Sequence, residues 1–438
     1  MADGVADILA DKRALHRKRA YETPLELLNP AWASAFRDDG HWAYFERLRA
    51  EDPVHWTPDS NYGAFWSITK YNDIMAVDTN HQVFSSAKGI GLSPKPSVLP
   101  PEAYLERREI DPDSAEDTNS FINMDPPGHD VQRKTVSPVV APANLHNMAP
   151  VIRERAGAIL DSLPIGEPFD WVDLVSKELT TMTLATLFDF PFEERRKLTF
   201  WSDTMTTAPG HGPVATYQER REALADCKNY FVGLWNQRVN AEPAGDLISM
   251  LAHGEQTRGF TPEEFFSNVT LLIIGGNDTT RNTISGSVYA LNRHPAQYAK
   301  LRENPALIPS MVSETIRWQT PLAHMRRTAT QDFEFGGQTI REGDLVSMWY
   351  VSGNRDERVI DDPDAYIIDR ARPRTHLSFG FGIHRCVGNR LAELQLTIIW
   401  EEILKRFPSV ELAGEPTRTH SVFVKGYETL PVVIPRRN

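Results

Sequence analysis

Cysteine is the scarcest reactive residue in this chain: two among 438, Cys227 and Cys386. Two thiols do not make a disulfide framework, and they cannot hold a four-cysteine iron–sulfur cluster. Long apolar runs are missing too. LLII, at 271–274, is among the longest and falls far short of the roughly 18 residues that suggest a membrane span. The first residues carry Asp3, Asp7 and Asp11 and no apolar stretch. No signal or transit peptide is therefore expected, and the expected location is the cytoplasm. No repeat, low-complexity block or Gly/Ser linker divides the chain. A formal charge of −12 argues against whole-surface attraction to nucleic acid.

What remains is ordinary globular composition, 41% hydrophobic and 24% charged. The pattern predicts an N-terminal arm, 1–40, and a single domain, 41–438. The basic run KRALHRKR at 12–19 reads as a solvated helix or a disordered arm. Residues 41–84 mix helix with short strand signals such as GAFWSIT, and 85–128 read as a long loop with one short helix. Loops of that length are uncommon unless functional. Residues 143–310 read mostly helical, and strand-like pieces return at 333–350 and 421–434. The expectation is a mainly α fold with small β-sheets.

One helix is unusually legible. Thr261-Pro262-Glu263-Glu264 supplies an N-cap, a proline at the first turn and a capping-box glutamate. Helical character then runs to about Arg293, where His294-Pro295 stops it. Such a helix is about 48 Å long at 1.5 Å per residue, so it must cross the molecule. Its middle, VTLLII, is apolar all round and is expected to be buried.

Three constellations stand out. FGFGIHRCVG, 379–388, places Cys386 between a glycine-rich loop and an amphipathic helix marked by Leu391, Leu394 and Ile398. A helix N-terminus favours thiolate. GGNDTT, 275–280, sets two glycines and an Asp-Thr pair inside the long apolar helix. Adjacent glycines there cost roughly 1 kcal/mol each relative to alanine, and a buried carboxylate needs a partner or a task. Glu314 and Arg317 in SETIRW share a helix face. By spacing alone they read as a surface ion pair worth little.

The pattern Phe379-x-x-Gly382-x-His384-x-Cys386-x-Gly388 resembles the haem-binding signature of cytochromes P-450, and the other two constellations follow in that family's order. The resemblance covers about residue 40 to the end. It implies a triangular helical prism with haem b between the long central helix and the cysteine-loop helix. Cys386 would be the axial iron ligand, whose electron donation favours O–O cleavage. Thr279 would donate a hydrogen bond toward dioxygen and Asp278 would relay protons from solvent. Glu314, Arg317 and Arg370 would form a structural network. His129, Arg133, Arg327 and His384 would hold the haem propionates, with Phe379 against the cofactor. Substrate walls would come from the long loop, the 201–216 region, and Leu271, Ile274, Gly275, Leu322, Ala323, Phe423 and Val424, none of them charged.

LLIIGGNDTTRN and HLSFGFGIHRCVGNRLAELQL look most like the bacterial soluble terminal hydroxylases of alkanes and fatty acids. A sterol or terpenoid hydroxylase is the first alternative, and a non-catalytic haem sensor or carrier the second. A sensor would not need the Asp278-Thr279 pair. Peroxide-driven relatives typically lack it. The chain shows no flavin or iron–sulfur motif, and the resemblance implies that a separate [2Fe-2S] ferredoxin and its NAD(P)H-dependent reductase deliver the electrons, docking near Arg385 and Arg390.

Overall fold

The capping box read at Thr261 forms as expected. The Glu264 N–H donates to the Thr261 hydroxyl at 3.2 Å, and the Thr261 N–H donates to the Glu264 carboxylate at 2.8 Å. From it the helix Pro262–Arg293 runs 32 residues to His294. In this computed structural model, which describes residues 2–98, 120–207, 209–210 and 212–438, that helix passes through two cores. Val269 and Ile273 pack with Leu184, Phe188 and Phe231. One half-helix later, Ile284, Val288 and Leu291 pack with Trp171, Ile316 and Trp400.

Four shorter helices clasp it. Gly276 lets Glu178–Phe188 approach closely, since a Cβ there would sit 2.8 Å from Leu184. Arg196–Thr206 meets it through Ser202 and Asp203. Ile308–Gln319 packs at Gly286, and Asn389–Arg406 reaches it through the Trp400 indole N–H, which donates to Ser287 Oγ at 2.8 Å. The fold is mainly α with small sheets, as the sequence indicates.

The largest sheet has five strands in the order Val54–Thr57, Phe65–Ile68, Leu345–Met348, Met325–Ala329, Phe84–Ser85. Only the second and third strands run parallel. GAFWSIT thus supplies one strand, and Arg327 sits opposite Val346 on a neighbouring pair. The 421–434 region gives strands Tyr427–Thr429 and Pro431–Val433. Of the long loop at 85–128, residues 99–119 lie outside those described. The remainder holds two single-turn helices, Pro96–Val98 and Phe121–Asn123.

The N-terminal segment is less arm-like than its composition suggests. Helix Ala2–Glu22 lies against helix Trp42–Glu51 along a seam of Ala20, Leu28, Tyr44 and Leu48. Arg47 donates to the carbonyls of Ala20 and Thr23, each at 2.7 Å. The basic run is helical, and Lys12, Arg13 and Arg17 are paired with Asp38, Asp39 and Glu46. Among the described residues no helix is long and apolar enough to cross a membrane.

Candidate active site

The cysteine loop is shaped by two left-handed glycines, Gly380 and Gly382, both at φ 65°. A side chain at Gly382 would meet the Asp78 carbonyl at 2.7 Å, so the loop can lie flat on helix Tyr71–Thr79 only with glycine there. The loop closes through the Cys386 N–H, which donates to the Phe379 carbonyl at 2.8 Å. Helix Asn389–Arg406 then begins after Gly388, so Cys386 precedes the helix instead of opening it. Its thiol surface is exposed, although the group lies deep among surrounding elements. Burial pushes the thiol pKa up, while backbone N–H groups of Gly388 and Asn389 and the charges of Arg133 and Arg385 pull it back. The expected thiolate is therefore not secured by helix position alone. A coordinated metal deprotonates a thiol outright.

The centre of the long helix holds the second constellation. The two adjacent glycines divide the labour. Gly276 is the packing notch, whereas Gly275 is exposed and a Cβ on it would meet no atom within 4 Å. A Cβ on Gly388, beside Cys386, would likewise meet no atom within 4 Å. Contrary to uniform burial of VTLLII, Leu271 and Ile274 are only half-buried; the open side of Gly275 interrupts the packing. Thr279 donates its hydroxyl to the Gly275 carbonyl at 2.7 Å. Asp278 points elsewhere. It is 1% exposed, and its Oδ1 lies 3.0 Å from Arg281 and 3.3 Å from Ser202 Oγ. Burial raises its pKa, Asp203 adds to the rise, and Arg281 opposes it.

Three expected propionate partners cluster. His129 and His384 are buried with ring centroids 4.5 Å apart, and Arg133 bonds the Arg385 carbonyl. Both nitrogens of His384 and Nε2 of His129 are buried without a hydrogen-bond partner. Unpaired polar atoms of this kind are costly, and carboxylates would satisfy them. Burial depresses the His384 pKa and the nearby charge of Arg327 adds to the fall, but Arg327 is already paired with Asp78 at 2.8 Å. Asp78, which the sequence reading missed, also accepts the Tyr350 hydroxyl at 2.9 Å and the Phe381 N–H at 2.7 Å. It ties the cysteine loop to the five-stranded sheet. An open cradle, an accessible thiol and unpaired imidazoles fit a haem with its two propionates.

Glu314, Arg317 and Arg370 do meet. Glu314 is fully buried, Arg317 forks onto it with two bonds of 2.8 Å, and Arg370 Nε reaches both its oxygens at 3.0 Å.

Of the expected substrate contacts, Leu322 and Phe423 are half-buried, and Leu322 bridges Val424. Ala323 is different. It is fully buried in a cluster with Phe45, Leu92 and Trp349, so, contrary to expectation, it offers no open surface to a substrate. Their neighbour His324 was not singled out by sequence. Its Nδ1–H donates to the Val422 carbonyl at 3.0 Å, and its Nε2 accepts the Leu92 N–H at 3.2 Å. That pairing demands neutral imidazole and joins the turn at 324 to the segments at 92 and 422. Burial, aided by Arg326, pushes its pKa down to about 4. The unfolded chain takes up the proton below about 6.5. Stability from this group is thus full above that value and is lost as pH falls toward 4. Between pH 7 and 5 it should cost about 2 kcal/mol. Urea midpoints across that range should fall less steeply in His324→Gln than in wild type; parallel curves would refute the assignment.

Comparison with known proteins agrees with this geometry. The family described as Cytochrome P450 matches residues 215–425. Linalool 8-monooxygenase of Pseudomonas putida is 35% identical over 394 residues, 89% of this chain and 94% of that protein. Methyl-branched lipid omega-hydroxylase of Mycobacterium tuberculosis is 32% identical over 412 residues, covering 91% and 92%. The solved structure of cytochrome P450-153 from Novosphingobium aromaticivorans superposes with a TM-score of 0.83 at 44% identity, over 93% of this chain and 99% of that one. With a thiol, a glycine cradle and unpaired imidazoles arranged to receive haem b, and relatives named as monooxygenases along almost its whole length, this chain belongs to the cytochrome P450 family of haem monooxygenases.

Proposed function

We propose that the enzyme inserts one oxygen atom of O2 into the terminal C–H of medium-chain n-alkanes or fatty acids, giving primary alcohols or ω-hydroxy acids. The observation that carries the reading is the apolar, half-open character of the residues expected to meet substrate. Leu271 and Ile274 on the central helix, and Leu322 and Phe423 on the bridged turns, are half-buried and uncharged. A largely apolar site suits a hydrocarbon chain. The relative named as an omega-hydroxylase supports attack at a chain end. Primary C–H bonds are the strongest in such molecules, so terminal attack requires walls that deliver only the chain end. The linalool-oxidising relative favours a second reading, a terpenoid hydroxylase.

Electrons come, in this reading, from a [2Fe-2S] ferredoxin and its reductase in the cytoplasm; Arg385 and Arg390 are exposed beside the cysteine loop, where an acidic protein can dock. Turnover of octane, dodecanoic acid and linalool with ferredoxin, reductase and NAD(P)H tests both parts. 1-Octanol and the ω-hydroxy acid should dominate. Mainly internal alcohols, or linalool as the preferred substrate, would defeat the proposal.

When bound, haem supplies the oxygen-insertion chemistry; the chain's own residues manage protons. Thr279 Oγ1 sits on the open side and can exchange its bond to the Gly275 carbonyl for a new acceptor. Asp278 Oδ1, held by Arg281 and Ser202 with a raised pKa, is suited to pass a proton inward once that ion pair loosens. Thr279→Ala should let nicotinamide oxidation run ahead of product. Asp278→Asn should slow turnover on the order of 10²-fold and enlarge its solvent isotope effect. Unchanged coupling and rate would remove both from the relay.

A further inference from the structure

A cavity of about 310 Å³, with Gln319 and Lys425 in its lining, contains none of the residues expected to hold haem or substrate. That volume is at the lower end of the roughly 300–1,000 Å³ typical of small-molecule sites. Its walls are aromatic: Trp42, Trp318, Tyr289 and Tyr427. Three cations are interleaved with them. Arg355 lies 4.5 Å from the Trp42 ring centre and 5.4 Å from that of Trp318. Lys425 lies 5.2 Å from Trp42, and Arg418 lies 5.1 Å from Tyr289.

The acids present do not balance these cations. Asp39 is shared: Arg13 pairs with it, and the Trp42 indole N–H donates to it at 3.1 Å. Arg418 stands 3.8 Å away from it. Asp364 bonds Arg355, yet its side chain is 85% exposed and well screened. Two buried donors on the lining have no acceptor, Nε of Arg355 and Nε1 of Trp318. Arg355 itself is 5% exposed. Lys425 spends one N–H on the Gln319 carbonyl at 2.7 Å. Buried N–H donors left unpaired call for an acceptor, and the surplus of positive charge calls for an anion. Flat aromatic walls call for an apolar body between them.

We propose that this cavity is a second binding site, for a small organic anion: a carboxylate carried on a flat apolar body. The carboxylate lies toward Arg355, Trp318 and Lys425, and the body lies among the rings. Burial pushes the Lys425 ammonium down to about 7, so an anionic neighbour restores a charge that the cavity otherwise suppresses.

The test uses the haem-loaded enzyme with imidazole on the iron, so that a carboxylate cannot ligate there. Crystals soaked in 4-bromobenzoate should show a bromine anomalous peak between Trp42 and Trp318. A peak only beside the haem, or none, overturns the proposal. In calorimetry, benzoate should bind the imidazole-saturated enzyme in one equivalent. Benzylamine, its cationic counterpart, should bind at least about tenfold more weakly, as loss of charge-assisted bonds implies; equal affinity overturns the charge argument. Inorganic phosphate binding as tightly as benzoate would reduce the cavity to an adventitious anion site and overturn the organic body. Lys425→Met should weaken benzoate by a similar factor, and unchanged affinity in the folded variant counts against the site. Should that variant fail to fold, the bromine position decides alone.

Discussion

Glu314→Ala is expected to cost about 3–5 kcal/mol, the usual penalty for removing one partner of a buried ion pair. Folded domains hold only about 5–15 kcal/mol in total, so this single change should leave little folded protein at physiological temperature. The reason is the number of donors that converge on one carboxylate. Arg317 and Arg370 both bond it, and the Ile367 N–H donates to it at 2.8 Å. Arg317 is 1% exposed and also donates to the carbonyls of Asn354, Pro363 and Ala365. Without Glu314 a guanidinium remains in the core with carbonyl dipoles but no counter-charge. Arg370→Ala should cost less, because Glu314 then keeps the Arg317 fork and the Ile367 N–H, and Arg370 itself reaches solvent. Urea unfolding of both variants checks the order. A loss below about 1 kcal/mol for Glu314→Ala would show that the pair behaves as a surface ion pair.

That contrast shows where the sequence was readable. Local chemistry was legible. The Thr261–Glu264 box and His294-Pro295 bounded the central helix correctly because caps and stops act within four residues. The glycines at 380 and 382 revealed the cysteine loop because left-handed backbone has few other tenants. Long-range partners were not legible. Spacing alone reads Glu314 and Arg317 as a surface pair; Arg370 was reached only through the family resemblance, and the three backbone carbonyls only through the fold. Asp78 bonds residues 249 and 303 positions away, and His324 bonds one 232 positions away. Neither carries a local motif. Which of two neighbouring turn residues stays open, Leu322 or Ala323, likewise depends on what packs beneath them. The same holds for the N-terminal basic run, whose acidic partners Asp38, Asp39 and Glu46 come together only when two helices pack.

Cys386→Ser should abolish oxygen insertion, to the level of free haem, while leaving the fold nearly untouched. The two effects separate because the residue's structural contribution is made by its backbone. The N–H bond to the Phe379 carbonyl and the left-handed glycines set the loop, and serine preserves both. The side chain, by contrast, is exposed, so little packing is lost. Surface-like substitutions of this kind usually stay within about 0.5 kcal/mol. Chemistry changes far more. A hydroxyl is a much weaker acid than a thiol, and Arg133, Arg385 and two backbone N–H groups cannot supply the electron donation that a thiolate gives to iron. The reduced, carbon-monoxide-bound spectrum provides a readout independent of turnover. Wild type should show the strongly red-shifted Soret band of thiolate ligation, and the variant should not. If the serine protein keeps that band, or still hydroxylates its substrate at the wild-type rate, sulfur 386 is not the iron's ligand and the roles assigned to Thr279 and Asp278 lose their reference point.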